Sequence, residues 1–314
     1  MDISVVIPLY NEAESLPELF AWIERVMKEH NYTYEVIFVN DGSTDNSWEV
    51  IEELKQRSPH IRGIKFRRNY GKSPALYCGF AEAQGDVVIT MDADLQDPPS
   101  LLPQMLAMIE SQDCDNVATR RVNRKGEPPI RSFFARCFYK LMRRLSNIDI
   151  ADGARDYRLM SRAMVDSILS VSEYNRFSKG IFAWVGYETR WLEFENVERS
   201  AGETKWSFWK LVRYSIDGII NFSNTPLQIS SYLGMILTIV SFIAIIVEVI
   251  RALVFGDPVA GWPSLVCIIT FIGGIELFCM GIMGQYIAKT YMEVKRRPHY
   301  IIKESNCKNT KKNN

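Results

Sequence analysis

From Pro226 to Val247 the chain carries no charged residue, and from Val259 to Ala288 the one charge is Glu276. Each run exceeds the roughly 20 residues a helix needs to cross a hydrocarbon core. Apolar character resumes past Glu248 and Arg251 to Phe255, and Phe255-Gly256-Asp257-Pro258 has the composition of a tight turn. The pattern predicts a hairpin of two transmembrane helices, about 227–254 and 262–288, within a segment 226–288. The alternative is a pair of buried core helices, but soluble helices of this length carry a polar stripe, which these mostly lack.

Charge gives the hairpin an orientation. The 37 basic and 37 acidic residues cancel overall, but they are unevenly spread. Residues 1–225 hold 28 Lys/Arg and 32 Asp/Glu, whereas residues 289–314 hold eight basic and two acidic residues. The hairpin link has no Lys or Arg, while Lys289, Lys295, Arg296 and Arg297 follow the second span. By the positive-inside rule the tail 289–314 is cytoplasmic, and so is the large N-terminal domain 1–205. Met1 runs straight into the strand-like Ile3–Ile7, so no secretory signal is read. The expected location is the inner (cytoplasmic) membrane, multi-pass, with both termini cytoplasmic. An intramembrane Glu276 is compatible with partner helices, a homo-oligomer among them; a functional groove, contact with another helix and snorkelling near the interface are the readings it leaves open. The zero net charge argues against a nucleic-acid partner. The six cysteines show no zinc-ligand spacing, which speaks against a metal cluster or disulfide framework.

The soluble part alternates short apolar runs with helical patterns. Strands are expected at Ile3–Ile7, Tyr34–Val39, Ile61–Phe66, Val87–Met91 and Asn116–Thr119, with helices near 15–30, 46–57, 72–84 and 99–110. Ser15 and Glu18 have capping-box spacing, with Pro17 tolerated in the first turn. Such alternation predicts a doubly wound, mainly parallel α/β sheet, whose ligands sit beyond the strands' carboxyl ends. Acidic clusters fall at those ends: Glu12 after the first strand, Asp41 and Asp45 after the second, Asp92, Asp94 and Asp97 after the fourth. Each alone reads as an ordinary turn. Converging carboxylates cost energy unless a cation arrives, and a hard divalent ion completed by substrate phosphates answers that economically.

The segments V-V-I-P-L-Y-N-E, V-N-D-G-S-T-D, R-N-Y-G-K, M-D-A-D-L-Q-D-P-P, D-Y-R-L-M-S-R and A-G-E-T-K-W together resemble the motif series of family 2 glycosyltransferases with the GT-A fold. The match is closest to the polyprenyl-phosphate branch, bactoprenol glucosyltransferases and dolichol-phosphate mannosyltransferases. The hairpin and the ending E-V-K-R-R-P-H-Y extend it over nearly the whole chain. The resemblance implies a GT-A-like sheet followed by the hairpin. It further implies an inverting transfer of a hexose, with glucose from UDP-glucose the first choice, to undecaprenyl phosphate.

Site residues carry over by motif. Asp92 and Asp94, joined by Gln96, would hold Mg2+ or Mn2+ and the donor diphosphate. Pro8, Tyr10, Glu12 and Asp41 would hold the base and ribose, and Lys72 a donor phosphate. Asp156 and Arg158 would act beside the reacting sugar. Asp156 is the usual candidate base, yet a lipid phosphate is already ionised at neutral pH, its second pKa being about 6 by analogy with phosphoamino acids. Orientation of the acceptor therefore competes with proton abstraction as its role. Arg131, Arg199 and Lys205 are candidates for the acceptor phosphate, and a basic loop resting on lipid headgroups is the alternative for the last two. Residues 120–144 carry nine basic residues against Glu127, interleaved with Phe133, Phe134, Phe138 and Tyr139, which suits an interfacial segment on anionic lipid. Residues 206–225, with Trp206, Phe208, Trp209 and Tyr214, read as a juxtamembrane amphipathic helix. Other sugars (mannose, N-acetylglucosamine, an aminoarabinose derivative), glycan elongation and a catalytically dead membrane partner remain the rival readings.

Overall fold

The computed structural model describes residues 2–112, 114–121, 153–194, 216–255 and 261–307. Arg131, Arg199, Lys205, nearly all of the 120–144 segment, most of the juxtamembrane segment and the ending from Lys308 lie outside them. Eight strands form one sheet: β1 (Asp2–Leu9), β2 (Thr33–Asn40), β3 (Ile61–Phe66), β4 (Val87–Thr90), β5 (Asn116–Arg121), β6 (Ala154–Ser161), β7 (Thr189–Phe194) and β8 (Ile302–Ser305). Their order is β7-β5-β6-β4-β1-β2-β3-β8. β4, β1, β2 and β3 are parallel, and β4, β1 and β2 have the largely apolar runs of strands covered on both faces. β6 is wedged antiparallel between β4 and β5, and β8 closes the far edge antiparallel to β3.

The helices are α1 (Leu16–Glu29), α2 (Ser47–Arg57), α3 (Lys72–Glu82), α4 (Leu102–Gln112), α5 (Arg162–Ser170), α6 (Ser178–Trp184), α7 (Thr225–Phe255) and α8 (Trp262–Val294). α1 buries Leu16, Leu19, Ile23 and Met27, a helical stripe that meets Val5 and Ile7 on one sheet face. The opposite face packs Val6 and Val88 against Ala75, Leu76 and Phe80 of α3 and Met164 and Ile168 of α5. The capping box does not form. Ser15 takes a helical conformation and donates its hydroxyl to the Glu12 carbonyl (3.0 Å) instead of bonding back into α1.

α7 and α8 are long and apolar enough to cross a membrane. Their apolar side chains stand largely exposed, Phe242, Ile243, Phe271 and Leu277 among them, which removes the buried-core-helix alternative. After α8 the chain turns back, and Asn306 brackets Gly63 of β3 with a backbone donation (3.0 Å) and a side-chain acceptance (2.6 Å).

One glycine ties two loops of the site edge together. Gly42, after β2, has φ +69°, and a Cβ there would lie 2.7 Å from the Arg68 Cα. Gly42→Ala is therefore expected to destabilise the protein by about 2–3 kcal/mol, the conformational and steric costs adding. Thermal unfolding of the full chain in detergent would show this as a lowered Tm, and an unchanged Tm would refute it.

Candidate active site

The antiparallel wedge makes the site. Val87 to Thr90 of β4 face Ser161 to Arg158 of β6, and the same register continued two residues sets Asp92 opposite Asp156. Two carboxylates so placed repel unless a cation separates them. Lys72, the first residue of α3, supplies it: its Nζ lies 2.5 Å from Asp92 Oδ1 and 2.6 Å from Asp156 Oδ2. Burial on its own would lower the Lys72 pKa, but Asp156 and then Asp92 outweigh it and hold the ammonium charged well above the usual lysine range. Burial likewise opposes ionisation of Asp156, and Lys72 followed by Lys179 overcomes it, holding this carboxyl below the usual range. Asp156 Oδ1 is buried with no hydrogen-bond partner among the described residues.

Successive β6 residues serve opposite faces. Asp156 shares its face with Arg158, whose buried guanidinium stacks 3.9 Å over the Phe182 ring and donates to the Arg155 carbonyl (3.2 Å). Desolvation brings the Arg158 pKa down to about 10 against the pull of Asp156. Arg155, on the other face, donates to Asp97 Oδ1 (3.1 Å) and Gln96 Oε1 (3.3 Å). Asp97 Oδ2 accepts the Asp92 backbone N–H (2.9 Å), which folds the Asp92–Asp97 loop back on itself. Burial first, and Asp92 second, push the Asp97 pKa up to about 6 despite Arg155. Within this loop Asp94 Oδ1 accepts the Gln96 N–H (3.3 Å), and Leu95 sits at φ +60°, an uncommon conformation for its residue type.

The β1 and β2 ends complete the edge. Pro8 is the next-to-last residue of β1, just before Tyr10, Asn11 and Glu12, and Asn11 Oδ1 accepts the Thr44 N–H (2.8 Å). The Glu12 backbone N–H donates to Ser47 Oγ (3.1 Å), bringing this turn onto the start of α2. Asp41 is buried, and its two oxygens accept the N–H groups of Tyr70 (2.7 Å) and Gly71 (2.8 Å). Burial raises its pKa, and those two donors oppose the rise. Asp41 thus anchors the turn that delivers Lys72.

Asp92, Asp156 and Lys72 therefore meet directly, and Asp94, Gln96 and Arg158 flank them. Asp97, Arg155 and Lys179 also shape this centre but were assigned no role from the sequence. A third aspartate in D-A-D-L-Q-D and an arginine beside D-Y-R are visible signals; Lys179, which donates to the Ala154 carbonyl (3.0 Å), leaves none. Among the described residues no three His, Cys, Asp or Glu side chains form a self-sufficient metal cage.

Residues 4–169 match the family model described as glycosyl transferase family 2. A prophage bactoprenol glucosyl transferase homolog of Escherichia coli (strain K12) is 39% identical over 303 residues, covering 96% of this chain and 99% of the relative. The bactoprenol glucosyl transferase of Shigella phage SfII is 39% identical over 305 residues, covering 97% and 98%. Among solved structures, glucosyl-3-phosphoglycerate synthase from Mycobacterium tuberculosis with Mn2+ and UDP-glucose superposes with a TM-score of 0.47 at 19% identity, covering 70% of this chain and 77% of that one.

Proposed function

The chain belongs to glycosyl transferase family 2, and from that premise we propose that it moves glucose from UDP-glucose to undecaprenyl phosphate at the cytoplasmic face of a membrane. The names of its full-length relatives support the sugar and the lipid, and the exposed apolar helices α7 and α8 support the membrane. The basic residues Lys289, in the last turns of α8, and Lys295, Arg296 and Arg297, after it, support a cytoplasmic active domain.

The observation that carries the reading is the Asp92–Lys72–Asp156 bridge at the carboxyl edge of the sheet. Asp92, Asp94 and Gln96 are the residues that would hold Mg2+ or Mn2+. They fit a hard cation: their ligating atoms would all be oxygens, and among the described residues too few carboxylates gather to cage it without substrate phosphates. When bound, the ion neutralises charge on the departing diphosphate as a Lewis acid. Lys72, at the start of α3 beside Asp92, would face the donor phosphates. Pro8, Tyr10, Glu12 and Asp41 border the place for base and ribose.

Asp156, held ionised by two lysines, is a poor proton acceptor near neutrality. Its Oδ1, buried and without a hydrogen-bond partner among the described residues, instead suits a sugar hydroxyl, which it orients. The lipid phosphate needs no base: one of its oxygens bonds to the anomeric carbon as the bond to the diphosphate oxygen breaks, inverting that centre. Arg158 stiffens β6 beneath Asp156, and Arg131, Arg199 and Lys205 are proposed for the acceptor phosphate.

The test offers the purified full chain a panel of nucleotide sugars with undecaprenyl phosphate and Mg2+ or Mn2+. Glucosyl phosphoundecaprenol of inverted configuration is the expected product. Preferential transfer of another sugar would overturn the donor assignment, and a retained configuration would overturn the single displacement.

A further inference from the structure

The segment E-V-K-R-R-P-H-Y, outside the catalytic centre, begins at the last turn of α8. Glu293 there is half-buried and committed to a neighbouring turn. Its carboxylate accepts the backbone N–H of Tyr174 (2.9 Å to each oxygen), the N–H of Asn175 (3.1 Å) and the Asn175 side-chain amide (3.4 Å). The helical stretch 216–222, which leads into the other long helix, grips the same turn: Asn221 donates to the Asn175 carbonyl (2.8 Å), and Phe222 packs against α6 so closely that a Cβ on Gly180 would clash with its ring. His299 stacks on Tyr174, with ring centroids 6.0 Å apart. From this turn the chain enters α6, where Ser178 bonds Ser73 of α3 (2.7 Å), next to Lys72. Lys179 is the second cation holding Asp156 ionised.

From this continuous path we infer that the Tyr174–Asn175 turn with α6 is the joint through which the two long helices set the Lys72–Asp156 centre, and that Glu293 is its positioning residue. The inference rests on the transferase reading above, with Asp156 orienting the reacting sugar toward the lipid. Three N–H groups converging on one carboxylate make a rigid, directional contact, each charge-assisted bond being stronger than a neutral one. The joint fixes the angle at which a lipid phosphate held near the membrane approaches a sugar held on the sheet. Base and ribose, held at the β1 and β2 ends, lie outside this path, so the donor keeps most of its binding contacts when the joint is loosened.

Glu293→Ala and Glu293→Gln in the full chain, reconstituted in nanodiscs, test this. The alanine variant is expected to raise KM for undecaprenyl phosphate about tenfold, the scale of one charge-assisted hydrogen bond. UDP-glucose affinity should stay within about twofold, on the same free-energy scale. Glutamine keeps an accepting oxygen and should recover most of the loss. An unchanged acceptor KM, or donor affinity falling in parallel, would overturn the inference. Amide exchange supplies a readout independent of turnover. Faster exchange in Glu293→Ala from Tyr174 through Lys179 supports the joint even if no sugar is transferred, whereas exchange confined to α8 refutes it.

Discussion

Lys72→Met should lower transfer by two orders of magnitude or more and add a stabilising response to mild acid that the native protein does not draw from Asp156. In the native protein one ammonium lies between two carboxylates that strand register forces together. Removing one partner of a buried pair costs roughly 3–5 kcal/mol. Lys72 is 40% exposed, so solvent screening reduces this to about 2 kcal/mol. The pH dependence follows from Asp156. Its folded pKa is depressed, so its ionised form contributes stability above the unfolded value near 4, and that contribution is lost as pH falls below it. Without Lys72, burial dominates and the folded pKa rises above the unfolded one. The folded state then binds the extra proton, and the variant gains stability on going from about pH 7 to 5 beyond the gain that Asp97, its pKa pushed up to about 6, already gives the native protein. Thermal unfolding of both proteins across that range reads the difference. Adding Asp156→Asn should cancel the extra response, and a Lys72→Met response equal to the native one would show that Asp156 is not held by this lysine. Activity falls for a separate reason: with Lys72 absent, the donor phosphates lose a cation at the α3 start.

How much of this centre was legible beforehand depended on the range of the interactions. β1 to β5 and α1 to α4 follow from local apolar periodicity, and they appear within a few residues of the expected positions. The acidic residues after β1, β2 and β4 follow from a topological rule and share one edge as expected. The bridge itself was hidden, because Lys72 and Asp156 are 84 residues apart and meet only through the β4–β6 register. Without that antiparallel wedge, D-Y-R cannot be placed opposite M-D-A-D. The alternation along β6 separates Asp156 and Arg158 from Arg155 and Tyr157, so neighbours in sequence serve different clusters. β8 escaped notice because Ile302-Lys303-Glu304-Ser305 is short and charged; it becomes a strand only by pairing with the open edge of β3. The capping box failed for the converse reason, its local pattern being outcompeted by the tight turn at Glu12 that the site requires.

Asp94→Ala should abolish transfer while leaving the fold intact, a combination that separates a ligand-holding carboxylate from a structural one. Asp92 is unsuitable for this test, since its loss also frees Lys72 and its backbone N–H is committed to Asp97. Asp97 is unsuitable as well: it is 1% exposed, paired with Arg155, and holds the loop together. Asp94 is more accessible, and its hydrogen bond to the Gln96 N–H is a local one. Truncating a partly exposed side chain there should cost under about 1 kcal/mol of stability. If Asp94 instead helps hold the cation that neutralises the leaving diphosphate, several kcal/mol of transition-state stabilisation are lost, a drop of about a thousandfold or more in kcat. Titrating Mn2+ into the variant with UDP present should show a weakened apparent affinity, with Tm in the absence of ligand unchanged. A variant that turns over like the native enzyme would remove Asp94 from the metal set. It would then leave Asp92 and Gln96 as protein ligands, with the donor phosphates supplying the remaining oxygens.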